Sequence, residues 1–221
     1  HLQMKNAAPI QYYGLSKQYL SLIICYLTAF FFGFHLTGIE MIRNHYFEKN
    51  SALRSTFYII AAIPFAVPIL SGLLRPFIHL KISQWLCAIH CSNMIAFGLY
   101  TTGQVNMLYL ARFFTGLGMG LSTNVVPEYV GQLDPSRRGL LTYLFQTSII
   151  VGIVSGQVAT IVSTKTLYMN MFFFITAALS FIAAICSSMI IPVTDQGTDQ
   201  QNTSRKTLLI FLKKYTQRNQ Y

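Results

Sequence analysis

Apolar residues run along this chain in six long blocks, at 20–42, 55–74, 82–101, 107–126, 140–162 and 168–191, separated by short polar or charged connections. Each block reaches the roughly 17 to 25 residues an α-helix needs to cross a bilayer. The pattern predicts an all-α membrane protein whose six transmembrane helices occupy 20–192. Residues 1–19 form a polar N-terminal segment with Tyr12, Tyr13 and Tyr19 suited to a headgroup layer. The first apolar run is too long for a signal peptide and lacks a cleavage pattern, so no separate cleavable signal is expected. Beyond Pro192 the stretch "PVTDQGTDQQNTSRK" is a polar linker with no apolar period. In the remainder of 193–221, Leu208, Phe211, Leu212 and Tyr215 recur at helical spacing beside Lys213, Lys214 and Arg218, the pattern of a short basic helix lying on a membrane surface.

Composition supports lipid as the solvent. Of 221 residues 53% are hydrophobic and only 10% charged, against about a quarter charged in soluble domains. The net charge of +10 would suit nucleic acid if the bases formed one soluble face, but their distribution excludes that reading. With six spans, Lys5, Lys17, Arg75, Lys81, Arg137, Arg138, Arg205, Lys206, Lys213, Lys214 and Arg218 fall on one side; Arg43, Lys49, Arg54, Arg112 and Lys165 fall on the other. Lysine and arginine resist translocation, so the richer side is the cytoplasm and both termini lie there.

The cysteines (Cys25, Cys87, Cys91 and Cys186) sit inside predicted spans and give no secreted disulfide framework. Cys87, His90 and Cys91 share a helix face, but three ligands on one helix need another from elsewhere to enclose a metal, and no metal site is expected. The six acids fall at span ends and in loops, without a paired carboxylate inside a span or a partnered nucleophile. Neither an enzyme nor a cofactor is implied.

The charge-poor pattern breaks at "VPEYVGQLDPSRRGLLTYLFQ", which gathers Glu128, Asp134, Arg137 and Arg138 and then sets Gln146 inside an apolar run. Just before it, "LARFFTGLGMGLSTNVVP" places Arg112 within a span, a costly position unless the charge snorkels or finds a polar cavity. Gly116 and Gly120 lie one turn apart, where a neighbouring helix can approach closely. Arg112, Gly116, Gly120, Pro127, Tyr129, Pro135, Arg138, Gly139 and Gln146 together resemble, in order, the fourth and fifth helices of the sugar porter family in the major facilitator superfamily. A fainter likeness covers "FFGFHLTGI" in the first span.

The resemblance implies the N-terminal six-helix half of a glucose-facilitator-type fold, built from two three-helix inverted repeats. It implies a plasma-membrane transporter of hexose, facilitative, working by alternating access, with Gln146 and Thr123 near the sugar. Helix geometry adds to this. Gln157, eleven residues after Gln146, returns to within roughly 20° of it at about 100° per residue, and Ile149, Ile150 and Ile153 fall between at i+3, i+4 and i+7. An amide donates and accepts at once, as paired hydroxyls require. By the same resemblance, Arg112, Glu128, Gln132, Arg137 and Arg138 are the candidate charge network of an inner gate. His35 stands where proton-coupled members carry an aspartate, which makes it the candidate coupling residue; a passive mode is expected.

The chain departs from the family pattern in several places. Gln132 replaces a glutamate, Pro135 and Arg138 are one residue closer than usual, "RPFIHLK" replaces the family's D-R-x-G-R-[RK] signature with Arg75 at or near its acidic position, and "PVTDQ" replaces the family's P-E-S-P-R after the sixth helix. One half of a twelve-helix fold would need a second half or a homodimer partner to transport. The alternatives are a non-transporting sugar-sensing or regulatory membrane module and an inactive truncated transporter.

Overall fold

The computed structural model describes residues 15–47, 54–78, 80–163 and 166–190. The N-terminal segment up to residue 14 and the linker and basic helix expected over 193–221 lie outside the described residues. Six α-helices follow one another: α1 (Leu15–Ile42), α2 (Arg54–Leu74), α3 (Ile82–Tyr100), α4 (Val105–Leu133), α5 (Arg138–Val162) and α6 (Thr166–Cys186). A wider π-type turn, Arg43–Phe47, ends α1, and short 3-10 turns follow α2 (Arg75–Phe77), precede α5 (Pro135–Arg137) and close α6 (Ser187–Met189).

The helices match the apolar blocks, with three larger shifts at their ends. α1 begins at Leu15, so residues 15–19, expected in the polar N-terminal segment, belong to its first turns. The fourth block stops at 126 because Pro127 and Glu128 interrupt its hydropathy, yet α4 continues through Pro127 to Leu133. Tyr129 and Val130 on that last stretch are buried against neighbouring helices, and packing of this kind carries a helix past a proline. The sixth block, read to 191, gives an α-helix that ends at Cys186 and tightens into its 3-10 turn.

Among the described residues four helices, α1, α2, α5 and α6, are long and apolar enough to cross a membrane. α3 and α4 fall short of that apolarity, and both carry polar groups into the interior. His90 and Asn93 on α3, and Arg112, Thr115 and Ser122 on α4, are all buried within the bundle.

Buried side chains form two apolar clusters. One unites Met41 and Ile42 at the end of α1, Phe57 near the start of α2, Tyr100 at the end of α3, Leu108 near the start of α4, Ala159 late in α5 and Met169 early in α6. The other unites Ile24 of α1, Trp85 and Leu86 of α3, Tyr129 and Val130 of α4, and Leu141 of α5. Carboxyl ends of odd-numbered helices thus meet amino ends of even-numbered ones, so successive helices run antiparallel. The amino end of α1 and the carboxyl end of α6 share one end of the bundle.

Close helix approach depends on absent side chains. A Cβ on Gly33 of α1 would collide with the Ile149 carbonyl of α5, and one on Gly152 of α5 with the Phe30 carbonyl of α1. A Cβ on Gly116 of α4 would sit 2.6 Å from Val67 of α2, and one on Gly120 would strike Ser71. The α1–α5 and α2–α4 seams are therefore close to backbone-on-backbone contacts.

Candidate functional site

The charged knot forms at the α4–α5 junction. Asp134 interrupts the helix in an extended conformation, and its Oδ1 accepts from the Ser136 and Arg137 backbone N–H groups at 3.1 and 3.2 Å and from Ser136 Oγ at 2.5 Å. These bonds satisfy the donors that open the 3-10 turn. The Ser136 hydroxyl is the main cause holding the Asp134 carboxyl below the ordinary carboxylate range; loss of solvent contact, the next largest effect, opposes it, and the two backbone donors and the Arg137 charge add to the lowering. Arg137 Nε lies 3.8 Å from Asp134, and the Arg138 side chain lies across Gly131 of α4. Gln132 is half-buried in the same last turn of α4.

Glu128 has a partner the sequence did not reveal. Arg75, in the turn after α2, makes an ion pair with Glu128 and donates from Nη1 to the Asn124 carbonyl at 3.1 Å. The base at or near the acidic position of the signature expected after the second span thus takes up an acid on α4. The available signal was the opposite sign of the two residues at one end of adjacent helices.

Arg112 stands apart from this group. Sixteen residues separate it from Glu128 along α4, roughly 24 Å at 1.5 Å per residue. It is 1% exposed and donates to neutral acceptors on three other helices: the His35 carbonyl at 3.1 Å, the Tyr100 hydroxyl at 3.3 Å and the Ile60 carbonyl at 3.4 Å. Among the described residues no carboxylate pairs with it. Thr115 completes the cluster, 2.8 Å from Tyr100 Oη and 3.4 Å from His35 Nδ1. The His35 ring stacks on Phe97 at 4.1 Å and 9°, so this histidine lies in the packed interior.

The α5 residues divide by direction. Ile149 and Ile153 lie against α1, the first beside Gly33 and the second accepting from Thr37 Oγ1 at 3.2 Å. Gln146, Ile150 and Gln157 are exposed. They belong to a stripe, Tyr143, Gln146, Ile150, Val154, Gln157 and Ile161, which about 100° per residue keeps within a narrow arc. Roughly a quarter to a third of a turn away runs a second exposed stripe, Leu140, Leu144, Val151, Val158 and Val162, made only of leucine and valine. The helix thus presents one purely aliphatic exposed face and beside it one that mixes amides and a phenol with branched apolar side chains. On α4, Thr123 is also exposed, its hydroxyl turned back to the Gly120 carbonyl at 3.0 Å.

His90 Nε2 is 3.0 Å from Thr28 Oγ1, whereas the Cys87 and Cys91 sulfurs are 4.0 Å from each other. Among the described residues no group of three or more His, Cys, Asp or Glu could hold a metal ion.

A bundle of antiparallel helices with wide aliphatic outer faces and its charges, Arg112 apart, gathered towards helix ends defines a multi-pass membrane protein. The chain belongs to the sugar transporter family: the profile described as "Sugar (and other) transporter" matches residues 19–196. It is 30% identical over 157 residues to "Solute carrier family 2, facilitated glucose transporter member 4" of Mus musculus, an alignment covering 65% of this chain and 30% of that protein. It is 35% identical over 101 residues to "Sugar transporter ERD6-like 16" of Arabidopsis thaliana, covering 45% and 21%. It is 27% identical over 137 residues to "Sugar transport protein MST8" of Oryza sativa subsp. japonica, covering 60% and 26%. The matched segment spans about a third or less of these relatives.

Proposed function

We propose that this chain is the six-span, N-terminal half of a facilitative hexose transporter, with Gln146 contacting the sugar and alternating access carried by rocking of this half against a second one. In this reading α3 and α4 also cross the bilayer, the halves of the bundle are inverted three-helix repeats, and the end bearing the Asp134 turn and both termini faces the cytoplasm of a plasma-membrane protein.

The exposed amide stripe of α5 carries the proposal. An amide turned to hydrocarbon forfeits its hydrogen bonds at a cost of several kcal/mol, and α5 already has an all-aliphatic stripe to offer to lipid. The stripe holding Gln146 and Gln157 is therefore suited to a wet cavity closed by another half or a homodimer partner. Two amides set among isoleucine and valine match a pyranose, which has a polar rim and apolar ring faces. The Arg75–Glu128 pair and the Asp134 turn supply charged contacts at the inner mouth.

Radiolabelled glucose binding to the full chain in lipid nanodiscs tests this. Gln146→Ala is expected to abolish saturable binding while Leu144→Ala, on the aliphatic stripe, retains it. Equal binding by Gln146→Ala and the unsubstituted chain removes the amide from the site.

A further inference from the structure

Tyr143 stands out on the mixed stripe. It is 69% exposed, it precedes Gln146 by three residues, about 4.5 Å along the axis, and among the described residues its hydroxyl has no hydrogen-bond partner. Tyr26, Tyr100 and Tyr129, by contrast, engage neighbouring groups within the bundle. Nor does Tyr143 lie on the face suited to lipid, where α5 uses only leucine and valine. It occupies the turn between Gln146 and the charged α4–α5 junction.

We propose that Tyr143 is a second sugar contact, a flat apolar platform beside the amide that selects pyranoses by the shape of one ring face. The inference rests on the reading of Gln146 as the sugar-binding amide. A tyrosine offers an apolar face and a polar tip at low conformational cost. A pyranose with all its hydroxyls equatorial lays a continuous C–H face on such a ring, and the phenol reaches the hydroxyl rim. An axial hydroxyl on that face lifts the sugar off the ring and leaves its own hydrogen bond unmade. Gln146 recognises hydroxyls; Tyr143 recognises the face between them.

Competition of glucose and galactose against radiolabelled glucose, on the full chain in nanodiscs, tests the proposal. Trp85, the one tryptophan of the chain and buried in the bundle, reports by its fluorescence that each variant is folded. Tyr143→Ala is expected to weaken glucose binding about fivefold and to narrow the preference for glucose over galactose, while Tyr143→Phe keeps both within about twofold. If Tyr143→Ala binds both sugars as the unsubstituted chain does while Gln146→Ala binds neither, the platform is wrong and the amide stands. If Leu144→Ala weakens binding as much as Tyr143→Ala, the effect belongs to the helix and the platform is again wrong. If Gln146→Ala leaves binding intact, the sugar site itself is misplaced and Tyr143 falls with it.

Discussion

Arg112 of α4 donates to the backbone carbonyl of His35 on α1, and the same guanidinium also holds Ile60 of α2 and Tyr100 of α3. A buried cation that meets no carboxylate among the described residues persists because its planar fork distributes donors over several carbonyl and hydroxyl oxygens at once. Lysine keeps the charge but cannot reach three helices from one point. Arg112→Lys is expected to cost about 1–3 kcal/mol and Arg112→Leu about 2–4 kcal/mol, mainly through acceptors left unpaired. Thermal unfolding of the detergent-solubilised chain measures both. Midpoints within a degree of the unsubstituted protein contradict this role.

The ion pair between Arg75 and Glu128 predicts a charge-exchange result. Both side chains are half-buried, so Arg75→Glu or Glu128→Arg alone places like charges together at a cost on the order of 1 kcal/mol. The double exchange, Arg75→Glu with Glu128→Arg, is expected to recover most of the loss, because the pair is restored with its sign reversed. Additive losses in this cycle show that the two residues act separately.

Glycines at the α1–α5 seam should be far less tolerant than glycines elsewhere. A Cβ at Gly152 meets the Phe30 carbonyl, whereas a Cβ at Gly98 or Gly139 meets nothing within 4 Å. Gly152→Ala is expected to destabilise by about 1–3 kcal/mol through overpacking. At the helical positions Gly98 and Gly139 alanine should be neutral or mildly stabilising, by up to about 1 kcal/mol. Equal behaviour of the three variants in thermal unfolding argues against tight α1–α5 contact.

The Asp134 turn gives a pH dependence whose sign is fixed. Its carboxyl titrates below the ordinary range, so its contribution to the turn is complete above about pH 4, the usual carboxylate pKa. It is lost as pH falls through the lower folded value. Asp134→Asn keeps an acceptor oxygen but not the charge. Hydrogen exchange at Ser136 and Arg137, compared between the two proteins at each pH, should show protection lost on acidification only where the aspartate is present. Parallel profiles contradict the assignment.

Hydropathy made the six helices legible because each apolar block is bounded by turn formers or charges. It failed at Pro127, since a window of apolarity cannot register that Tyr129 and Val130 are buried by neighbours. Residue type and spacing put Gln146, Gln157 and Ile150 on one side of α5, where they are exposed together. The same spacing could not separate them from Ile149 and Ile153, because which part of a helix meets a neighbour depends on Gly33 and Gly152, more than a hundred residues apart in sequence. The family resemblance groups Arg112 with distant charges; its partners among the described residues are uncharged, and carbonyl acceptors leave no trace in a sequence.

The meshing of Gly33 with Gly152 limits how the amide of α5 can travel. With main chain lodged against main chain, α5 has no freedom to swivel and re-aim Gln146 independently. Any rotation of the backbone that bears that side chain must carry α1 along, and through the His35 carbonyl the guanidinium anchored on α4. The bundle is geared to tilt as one block.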